Sequence, residues 1–426
     1  MDDTVINEYN ELLNNISNEL DITPIKYEQA VERYKAVGIW LEDGVYPADT
    51  HNSPYIYTQG SFRLGTVVRP IREGKESDYD IDLVCELQID KDTTTPRDLK
   101  MMIGDRLKAH GTYKRLLDDE GRRCWTLQYS EADGIGFHLD ILPSLPEDRN
   151  YKSALTMIGV PSETAEKAIT ISHKNEAQSY AWSSSNPNGY ANWFNNRIGP
   201  IFEKVKSRAR RRIFENNIQI FASVDDVPDQ LIKTPLQKAI QILKCHRDMR
   251  FVGHRWEKEK PISMILTTLS ALLYNQEADV FSTLQNVISL LNAHSSLLNP
   301  RYRLEEHVAS LNIMNRLSDG TWYIPNPVNP NENFADRWHE NDNRRAKAFF
   351  QWVDWAHNDL VEILTQVDSI KEIVQRLDEC LGKNIEKRAA SGHFVLGGPV
   401  IIHSKGDRAP HIEIKNPSKP WSSIGI

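Results

Sequence analysis

Apolar positions in the opening segment of the chain recur every three or four residues, which predicts two amphipathic helices. A break at Thr23-Pro24 separates these helices, since proline fits the first turn of a helix. The pattern then changes to short apolar runs and to alternation with a period of two, which predicts β-strands. The predicted strands lie at 55–57, 79–84, 124–129 and 135–142. We therefore expect a mixed α/β core in the first half of the chain.

Helical periodicity dominates from about residue 197 onward, where the strand signals fade. Three stretches rich in polar and turn-forming residues are expected to be loops, at 69–78, 183–192 and 324–333. This order of elements predicts an α+β architecture. The predicted parts are N-terminal helices that pack on the core (1–50), the core with a mixed β-sheet (51–200), a helical domain (201–385) and a C-terminal tail (386–426).

The composition is that of an ordinary globular protein. The chain has 426 residues, enough for two or three structural units. No apolar run is long enough to span a membrane, and the four cysteines form no CxxC pair. The first residues lack the basic and apolar segments of a secretory signal. We therefore expect a reduced, cytoplasmic protein with no membrane contact.

The net charge of −8, from 51 basic and 59 acidic residues, disfavours a broad surface for nucleic-acid polymers. The charge is uneven along the chain, because six basic residues crowd into positions 204–212. On a helix such a run is most often a solvated face. The alternative for this run is a local contact with an anionic ligand or a partner.

The sharpest candidate for chemistry is the triplet Asp80-Ile81-Asp82 in the second predicted strand. Residues two apart on a strand point to the same face, so both carboxylates share one face while Ile81 points into the core. Asp140, on the fourth predicted strand, would supply a third carboxylate. Carboxylates gathered in this way suit two Mg²⁺ or Mn²⁺ ions, which support phosphoryl or nucleotidyl transfer. Without such ions, the same residues would be solvated carboxylates on a sheet surface.

Gly60-Ser61 precedes this triplet at a predicted turn between a strand and a helix. Glycine lets the backbone approach a phosphate closely, and the backbone N–H and the serine hydroxyl donate hydrogen bonds to it. Arg63, just behind the turn, is a further candidate for a phosphate contact. A Gly-Ser pair alone is usually an ordinary turn, and an arginine is usually a surface residue. Together with three carboxylates, however, they indicate a nucleotide site.

The amino-acid sequences of these segments resemble those of a known family. QGSFRLGTVVRP and SDYDIDLV, followed by Asp140, are similar to the cGAS/DncV-like nucleotidyltransferases of bacteria, also called CD-NTases or SMODS proteins. Segments at 182–194, 234–248, 260–274 and 326–338 also resemble the family. The resemblance implies a polymerase-β-like nucleotidyltransferase core with a mixed β-sheet, followed by a helical domain.

The resemblance also implies an activity. Family members condense nucleoside triphosphates, ATP expected among them, into a cyclic di- or trinucleotide and release pyrophosphate. The product acts as a second messenger on a downstream effector in anti-phage (CBASS) defence, which includes accessory proteins. By this resemblance Asp80, Asp82 and Asp140 are the catalytic residues and hold Mg²⁺ or Mn²⁺, two ions per site.

Further residues are expected to contact the nucleotide. Lys244 and Ser263 stand where relatives hold the donor triphosphate, although from the residues alone Lys244 would be an exposed helix lysine. Tyr190 is expected to stack on a base, with core packing as the alternative, and Ser185 and Asn186 to read a base edge. The full set of predicted nucleotide contacts is Gln59, Gly60, Ser61, Arg63, Ser185, Asn186, Tyr190, Lys244 and Ser263.

Two other functions fit part of the same pattern. A transferase that attaches one NMP to a protein, a tRNA or a small molecule shares the Gly-Ser and Asp-x-Asp elements, and the type of acceptor distinguishes it. A catalytically inactive nucleotide sensor would bind NTPs without turnover. The presence of all three carboxylates argues against the sensor.

Overall fold

The structure is a computed structural model that describes residues 3–46, 53–69, 71–72, 75–76, 78–130, 136–299, 304–367 and 370–382. The strands are β1 (Tyr55–Gln59), β2 (Ile71–Arg72), β3 (Lys75–Glu76), β4 (Tyr79–Glu86), β5 (Trp125–Tyr129), β6 (Phe137–Pro146), β7 (Ile169–Lys174), β8 (Tyr180–Ser185), β9 (Asn315–Arg316), β10 (Trp322–Tyr323), β11 (Pro325–Asn326) and β12 (Asn329–Asn333). The helices are α1 (Asp3–Leu20), α2 (Pro24–Glu42), α3 (Gly60–Leu64), α4 (Pro96–Lys108), α5 (Gly111–Leu116), α6 (Arg149–Met157), α7 (Ser162–Ala165), α8 (Pro187–Asn216), α9 (Pro235–Phe251), α10 (Ser263–Leu273), α11 (Val280–Ala293), α12 (Glu306–Ser310), α13 (Glu340–Leu360), α14 (Ile363–Gln366) and α15 (Ile370–Leu381).

A mixed sheet of six strands forms the centre of the first half of the described chain. Its order is β1-β4-β6-β7-β8, and β5 also pairs with β6. The β4 and β6 strands are parallel, and the other pairs are antiparallel. Along β4 the alternation predicted from the sequence is present, because Ile81 and Leu83 are buried in the core beneath α2 and α4. Asp80 and Asp82 therefore point to the opposite face. The predicted α+β fold is confirmed.

The two N-terminal helices pack on different parts of the molecule. Tyr27, Val37 and Leu41 of α2 are buried against the sheet, as expected for helices that pack on the core. The apolar stripe of α1, which includes Leu13 and Ile16, is instead buried in the helical cluster formed by α9, α10, α11, α13 and α15. The structure thus differs from the prediction for α1. Apolar periodicity specifies which face a helix buries, and it does not specify the partner.

The segment 183–192, expected to be a loop, is the end of β8 and the beginning of α8. Asn186 caps this helix and Pro187 occupies its first turn. Asparagine, proline and serine are typical both of turns and of helix N-termini, so composition did not distinguish them. The α8 helix then continues through position 200, where the sequence suggested a boundary between domains.

Two other predicted loops contain short antiparallel ribbons. The β2 and β3 strands pair within 69–78, and β11 and β12 pair within 324–333. The predicted tail 386–426 lies outside the described residues. None of the helices in the described part of the chain combines the length and the apolarity that a membrane span requires.

The α9 helix joins the helical cluster to the core. The Nε2 atom of Gln237 donates to the carbonyl of Leu64 at 2.9 Å, and that of Gln241 donates to the carbonyl of Val67 at 2.7 Å. Both side chains are buried. Buried amide groups need such partners, so these bonds hold α9 against the end of α3 and the segment that follows it.

Candidate active site

The three aspartates predicted from the sequence lie together on the exposed face of the sheet. Asp80 and Asp82 belong to β4, and the parallel pairing of β4 with β6 sets Asp82 directly beside Asp140. Neighbouring strands are about 4.8 Å apart, so the side chains of this pair are close neighbours. The hydroxyl of Thr126 donates to Oδ1 of Asp140 and fixes that carboxylate.

The negative charges of the three carboxylates repel one another. Burial, followed by the neighbouring carboxylates of Asp140 and Asp80, raises the pKa of Asp82 to about 7. A carboxylate held between two others favours a bound cation, which would restore its ionised form. Oxygen ligands of this type are those that Mg²⁺ and Mn²⁺ prefer, so the donor set fits such ions.

Gly60 begins α3 directly above Asp82. Its φ is +64°, and a Cβ placed on it would lie 2.2 Å from Oδ2 of Asp82. Gln59, the preceding residue, is the register partner of Asp82 on β1. Only glycine combines this left-handed backbone with the space that the carboxylate occupies. The Gly60-Ser61 turn is therefore built against the carboxylates.

A cavity of about 340 Å³ opens beside these groups. Its walls come from the sheet, α3, the β8–α8 junction, the start of α10 and the β11–β12 ribbon. Residues predicted from the sequence that line it are Gln59, Gly60, Arg63, Asp82, Ser185, Asn186 and Tyr190. The cavity lining does not include Ser61, Asp80, Asp140, Lys244 or Ser263. Asp80 and Asp140 are instead neighbours of Asp82, which lines the cavity, and Ser61 follows Gly60, which also lines it.

Arg63 is held firmly at the cavity wall. Its guanidinium donates to the carbonyl of Thr58 at 3.1 Å and to the side chain of Asn188. It also lies 5.6 Å from the centre of the Tyr57 ring, within the range of a cation–π contact. A fixed cation next to the Gly60-Ser61 turn agrees with the predicted phosphate contact, which stays a prediction.

Tyr190 and Asn186 are more buried than the sequence suggested. The Tyr190 hydroxyl bonds Oγ1 of Thr268 at 2.7 Å, and only 5% of the residue is exposed. Asn186 is 2% exposed, and both of its amide atoms have partners. Its Nδ2 donates to the backbone carbonyl of Thr164 at 2.8 Å, and its Oδ1 accepts from the N–H of Gly189 at 2.9 Å. The structure thus gives Asn186 a capping role, and its predicted contact with a base stays a prediction.

We expect Asn186→Ala to lower the free energy of unfolding by about 1–2 kcal/mol, because the cap of α8 and a buried bond are lost together. Asn186→Asp keeps the acceptor for Gly189 and should lose less. Chemical denaturation of both variants measures the difference. Equal stability of Asn186→Ala and the unchanged protein would contradict the capping role.

Lys244 and Ser263 occupy a polar cluster behind the turn. The Lys244 ammonium donates to the carbonyl and the hydroxyl of Thr66 at 3.0 and 3.1 Å, and Ser263 accepts from Arg247 at 3.0 Å. Thr66 in turn donates its N–H to the carbonyl of Ser61 at 3.0 Å. The structure therefore links Lys244 to the turn through Thr66, and neither predicted triphosphate contact reaches the cavity. The two triphosphate contacts stay predictions, whereas the expectation of an exposed lysine from the residues alone is wrong, because Lys244 is 6% exposed.

The burial of Lys244 has a measurable consequence for pH dependence. Burial, followed by the nearby charge of Arg247, lowers the pKa of Lys244 to about 7. Between this pH and its ordinary pKa of about 10.4 the unfolded chain binds one more proton, so stability rises with pH. From about pH 7.5 to about pH 9.5, we expect the unchanged protein to gain about 2–3 kcal/mol relative to Lys244→Met. Denaturant titrations at both pH values test this, and parallel slopes for the two proteins would contradict it.

The cavity residues that were not identified from the sequence include three from one ribbon. Asn326, Glu332 and Phe334 line the cavity from the β11–β12 ribbon and its continuation. The Oε2 atom of Glu332 accepts from Nδ2 of Asn326 at 2.8 Å. The only sequence signal for them was the resemblance of 326–338 to the family, since polar residues in a turn-rich stretch have no periodicity.

Comparison with known proteins supports the assignment of the core. Residues 54–143 match the family described as "Cyclic GMP-AMP synthase DncV-like, nucleotidyltransferase domain". The matched segment contains the Gly60-Ser61 turn and all three aspartates. Residues 54–143 are therefore a DncV-like nucleotidyltransferase domain.

Two curated relatives align over nearly the whole length of this chain. A c-di-GMP synthase of Roseivirga ehrenbergii is 27% identical over 421 residues, which cover 96% of this chain and 94% of the relative. The cyclic dinucleotide synthase CdnG of Bradyrhizobium diazoefficiens is 23% identical over 446 residues, with coverage of 96% and 94%.

Solved structures of similar proteins have the same fold. The structure of CdnG from Bradyrhizobium diazoefficiens in complex with GTP matches with a TM-score of 0.62 at 20% identity, and the match covers 90% of this chain and 98% of CdnG. The structure of CdnC from E. coli MS115-1 with ATP matches with a TM-score of 0.54 at 14% identity, with coverage of 88% and 97%. The DncV-like fold therefore extends from the core into the helical cluster.

Proposed function

We propose that this DncV-like nucleotidyltransferase condenses two nucleoside triphosphates into a cyclic dinucleotide. The observation that carries the proposal is the gathering of Asp80, Asp82 and Asp140 on one sheet face, beneath Gly60 and beside a cavity. Two relatives that align over 96% of the chain are named for cyclic dinucleotide synthesis, which favours a ring product over transfer of an NMP to a protein or tRNA.

We expect the three aspartates to hold Mg²⁺ or Mn²⁺, two ions per site. When bound, such ions would stabilise the negative charge that develops on the attacking and leaving oxygens. The protein supplies the arrangement of the ligands, since β4 and β6 set Asp82 beside Asp140 and Thr126 fixes the latter.

The reaction itself is an in-line displacement. A ribose hydroxyl of one nucleotide forms a new bond to the α-phosphorus of the other, and the bond from that phosphorus to the pyrophosphate oxygen breaks. Oδ1 of Asp140 accepts a hydrogen bond from Thr126. We therefore expect Oδ2 of Asp140 to take the proton of the attacking ribose hydroxyl. Backbone N–H groups of the Gly60-Ser61 turn would donate to the phosphate oxygens. A second displacement closes the ring, and two pyrophosphates leave per product.

We also propose GTP as a substrate. One relative is named a c-di-GMP synthase, and CdnG was solved in complex with GTP. Glu332 places a carboxylate at the cavity wall, where Asn326 holds one of its oxygens. A carboxylate complements the N1–H and amino donors of guanine, whereas adenine presents an acceptor at N1.

Glu332→Gln is expected to lower kcat/KM for GTP relative to ATP by roughly tenfold or more, since an unpaired polar edge is costly in a closed site. Steady-state rates of pyrophosphate release with each NTP measure this ratio. Glu340→Gln is the control, because Glu340 pairs with Arg337 and Arg345 and does not line the cavity. An unchanged GTP-to-ATP ratio in Glu332→Gln would exclude Glu332 as the base contact.

The molecule that receives the nucleotidyl group distinguishes cyclic dinucleotide synthesis from NMP transfer and from an inactive sensor. The purified protein would be incubated with Mg²⁺ or Mn²⁺ and with NTPs labelled at the α-phosphate, and the products would be treated with phosphatase. The proposal predicts a small labelled product that resists phosphatase. Label in acid-precipitable protein or RNA would favour NMP transfer, and tight NTP binding without release of pyrophosphate would favour the sensor.

For the biological role, we propose that the product is a second messenger in anti-phage (CBASS) signalling. Intracellular NTPs as substrates favour a cytoplasmic location. An effector would then respond to the cyclic dinucleotide, with accessory proteins acting on the enzyme.

A further inference from the structure

A second cavity, of about 460 Å³, lies away from the carboxylates and shares no lining residue with the first. It is enclosed by α1, the second half of α8, the segment that leads into α9 and the start of α11. Its lining contains five cationic side chains, which are Lys204, Arg208, Arg212, Lys233 and Lys238. It contains two acidic ones, Asp21 and Asp279. The cavity is therefore strongly basic in a protein whose net charge is −8.

The structure divides the basic run at 204–212 between two faces of α8. Lys206 and Arg210 point to Asp229, which forms an ion pair with each of them. Lys204, Arg208 and Arg212 are four residues apart and share the face that lines the cavity. Within the described part of the chain, no carboxylate lies within salt-bridge distance of these three. Like charges at this spacing destabilise a helix, so the row is unfavourable without an anion.

The opposite wall is polar and ordered. Lys238 on α9 donates to Oδ1 of Asn14 at 2.8 Å, and Lys233 lies 3.4 Å from a carboxylate oxygen of Asp21. Burial, and then the charge of Arg212, lowers the pKa of Lys238 to about 8. An anion in the cavity would relieve this crowding of positive charge.

The two acidic side chains do not neutralise the cavity. Asp279 caps α11, since it accepts from the N–H and the hydroxyl of Ser282 at 2.8 Å each. Asp21 accepts from the N–H of Ile22 and from Gln241 at 2.9 Å each, in addition to its contact with Lys233. Neither carboxylate forms an ion pair with the row on α8, and the five cations of the lining outnumber its two carboxylates.

We propose that this cavity binds a small polyanion that carries two or more phosphate groups. The row on α8 supplies three separate cations, and Lys233 and Lys238 supply two more from the other wall. A nucleic-acid polymer fits less well, because exposed Glu203 and Glu215 flank the row on the same helix. Arginine and lysine bind phosphate oxygens by charge-assisted hydrogen bonds, which are short and strong.

The test uses inorganic tripolyphosphate as the probe and isothermal titration calorimetry of the full chain in metal-depleted buffer. We expect one tripolyphosphate per chain, with an affinity that falls as salt is added. The double variant Arg208→Ala/Arg212→Ala should weaken binding by roughly tenfold or more, and Arg208→Lys/Arg212→Lys should restore part of the loss. Arg211→Ala is the matched control, since Arg211 is exposed on the same helix and does not line the cavity.

Several results would overturn the proposal. They are no binding of tripolyphosphate to the unchanged protein, an unchanged affinity in the double alanine variant, and an equal loss in Arg211→Ala. Tighter binding of duplex RNA than of tripolyphosphate, with the same dependence on Arg208 and Arg212, would replace the small ligand with a polymer. Melting temperatures measured without ligand establish that each variant is folded.

Discussion

Asp82→Asn is expected to reduce cyclic dinucleotide synthesis by roughly a thousandfold or more, because a ligand of the catalytic ions contributes several kcal/mol to the transition state. Asp82 is the central carboxylate of the three, beside Asp140 across the strand pair and beneath Gly60. Asparagine has almost the same shape as aspartate, but it lacks the charge and has an NH2 group in place of one ligand oxygen. Its loss of activity would therefore report on the loss of an anionic ligand. Initial rates of pyrophosphate release measure the effect.

The same variant should not lose stability. In metal-free buffer, Asp82 is a carboxylate whose pKa is raised by burial and by two neighbouring carboxylates, so its charge opposes folding at neutral pH. We expect Asp82→Asn to melt at the same temperature as the unchanged protein or higher. Asp105→Asn, an exposed carboxylate on α4, is the control and should keep full activity. A large loss of stability in Asp82→Asn would mean that the residue is structural.

Gly60→Ala is expected to lower activity by about a hundredfold, since displacement of a reacting group by about 1 Å is enough for such a loss. The new methyl group would lie 2.2 Å from Oδ2 of Asp82, so either the carboxylate or the turn must move. Rates at saturating NTP and metal measure the effect.

Gly253→Ala is the control that distinguishes the contact made by the new methyl group from the cost of the left-handed backbone. Gly253 has a φ of +67°, close to the +64° of Gly60, but a Cβ there meets no atom within 4 Å. Both variants should therefore lose about 1 kcal/mol of stability, which is the cost of a left-handed non-glycine residue, and Gly60→Ala should lose more because of its contact with Asp82. Only Gly60→Ala should lose activity. Similar activity in the two variants would mean that contact between Gly60 and Asp82 is unimportant.

The carboxylate face was predictable from the sequence because a strand has a period of two. Asp80 and Asp82 had to share a face once Ile81 and Leu83 were assigned to the core, and the structure has this arrangement. The pairing of β4 with β6 could not be derived from periodicity. The register of the two strands in the structure supplies it.

The surroundings of the carboxylates were less predictable, for physical reasons. Helical periodicity placed Lys244 on a helix but could not indicate that Thr66 would bury its ammonium. Turn-forming residues around Asn186 fit a loop and a helix cap equally well, and the cap is what forms. Glu332 enters the cavity from a ribbon distant in sequence, and nothing local in a polar segment predicts such a contact.

The most direct test of this account is the mass of the product made by the purified chain from GTP and ATP with Mg²⁺ or Mn²⁺. We expect a cyclic dinucleotide that contains guanosine, two pyrophosphates released per ring, and no such product from Asp82→Asn. A linear dinucleotide as the end product, an NMP attached to a macromolecule, or no reaction with either metal would contradict it.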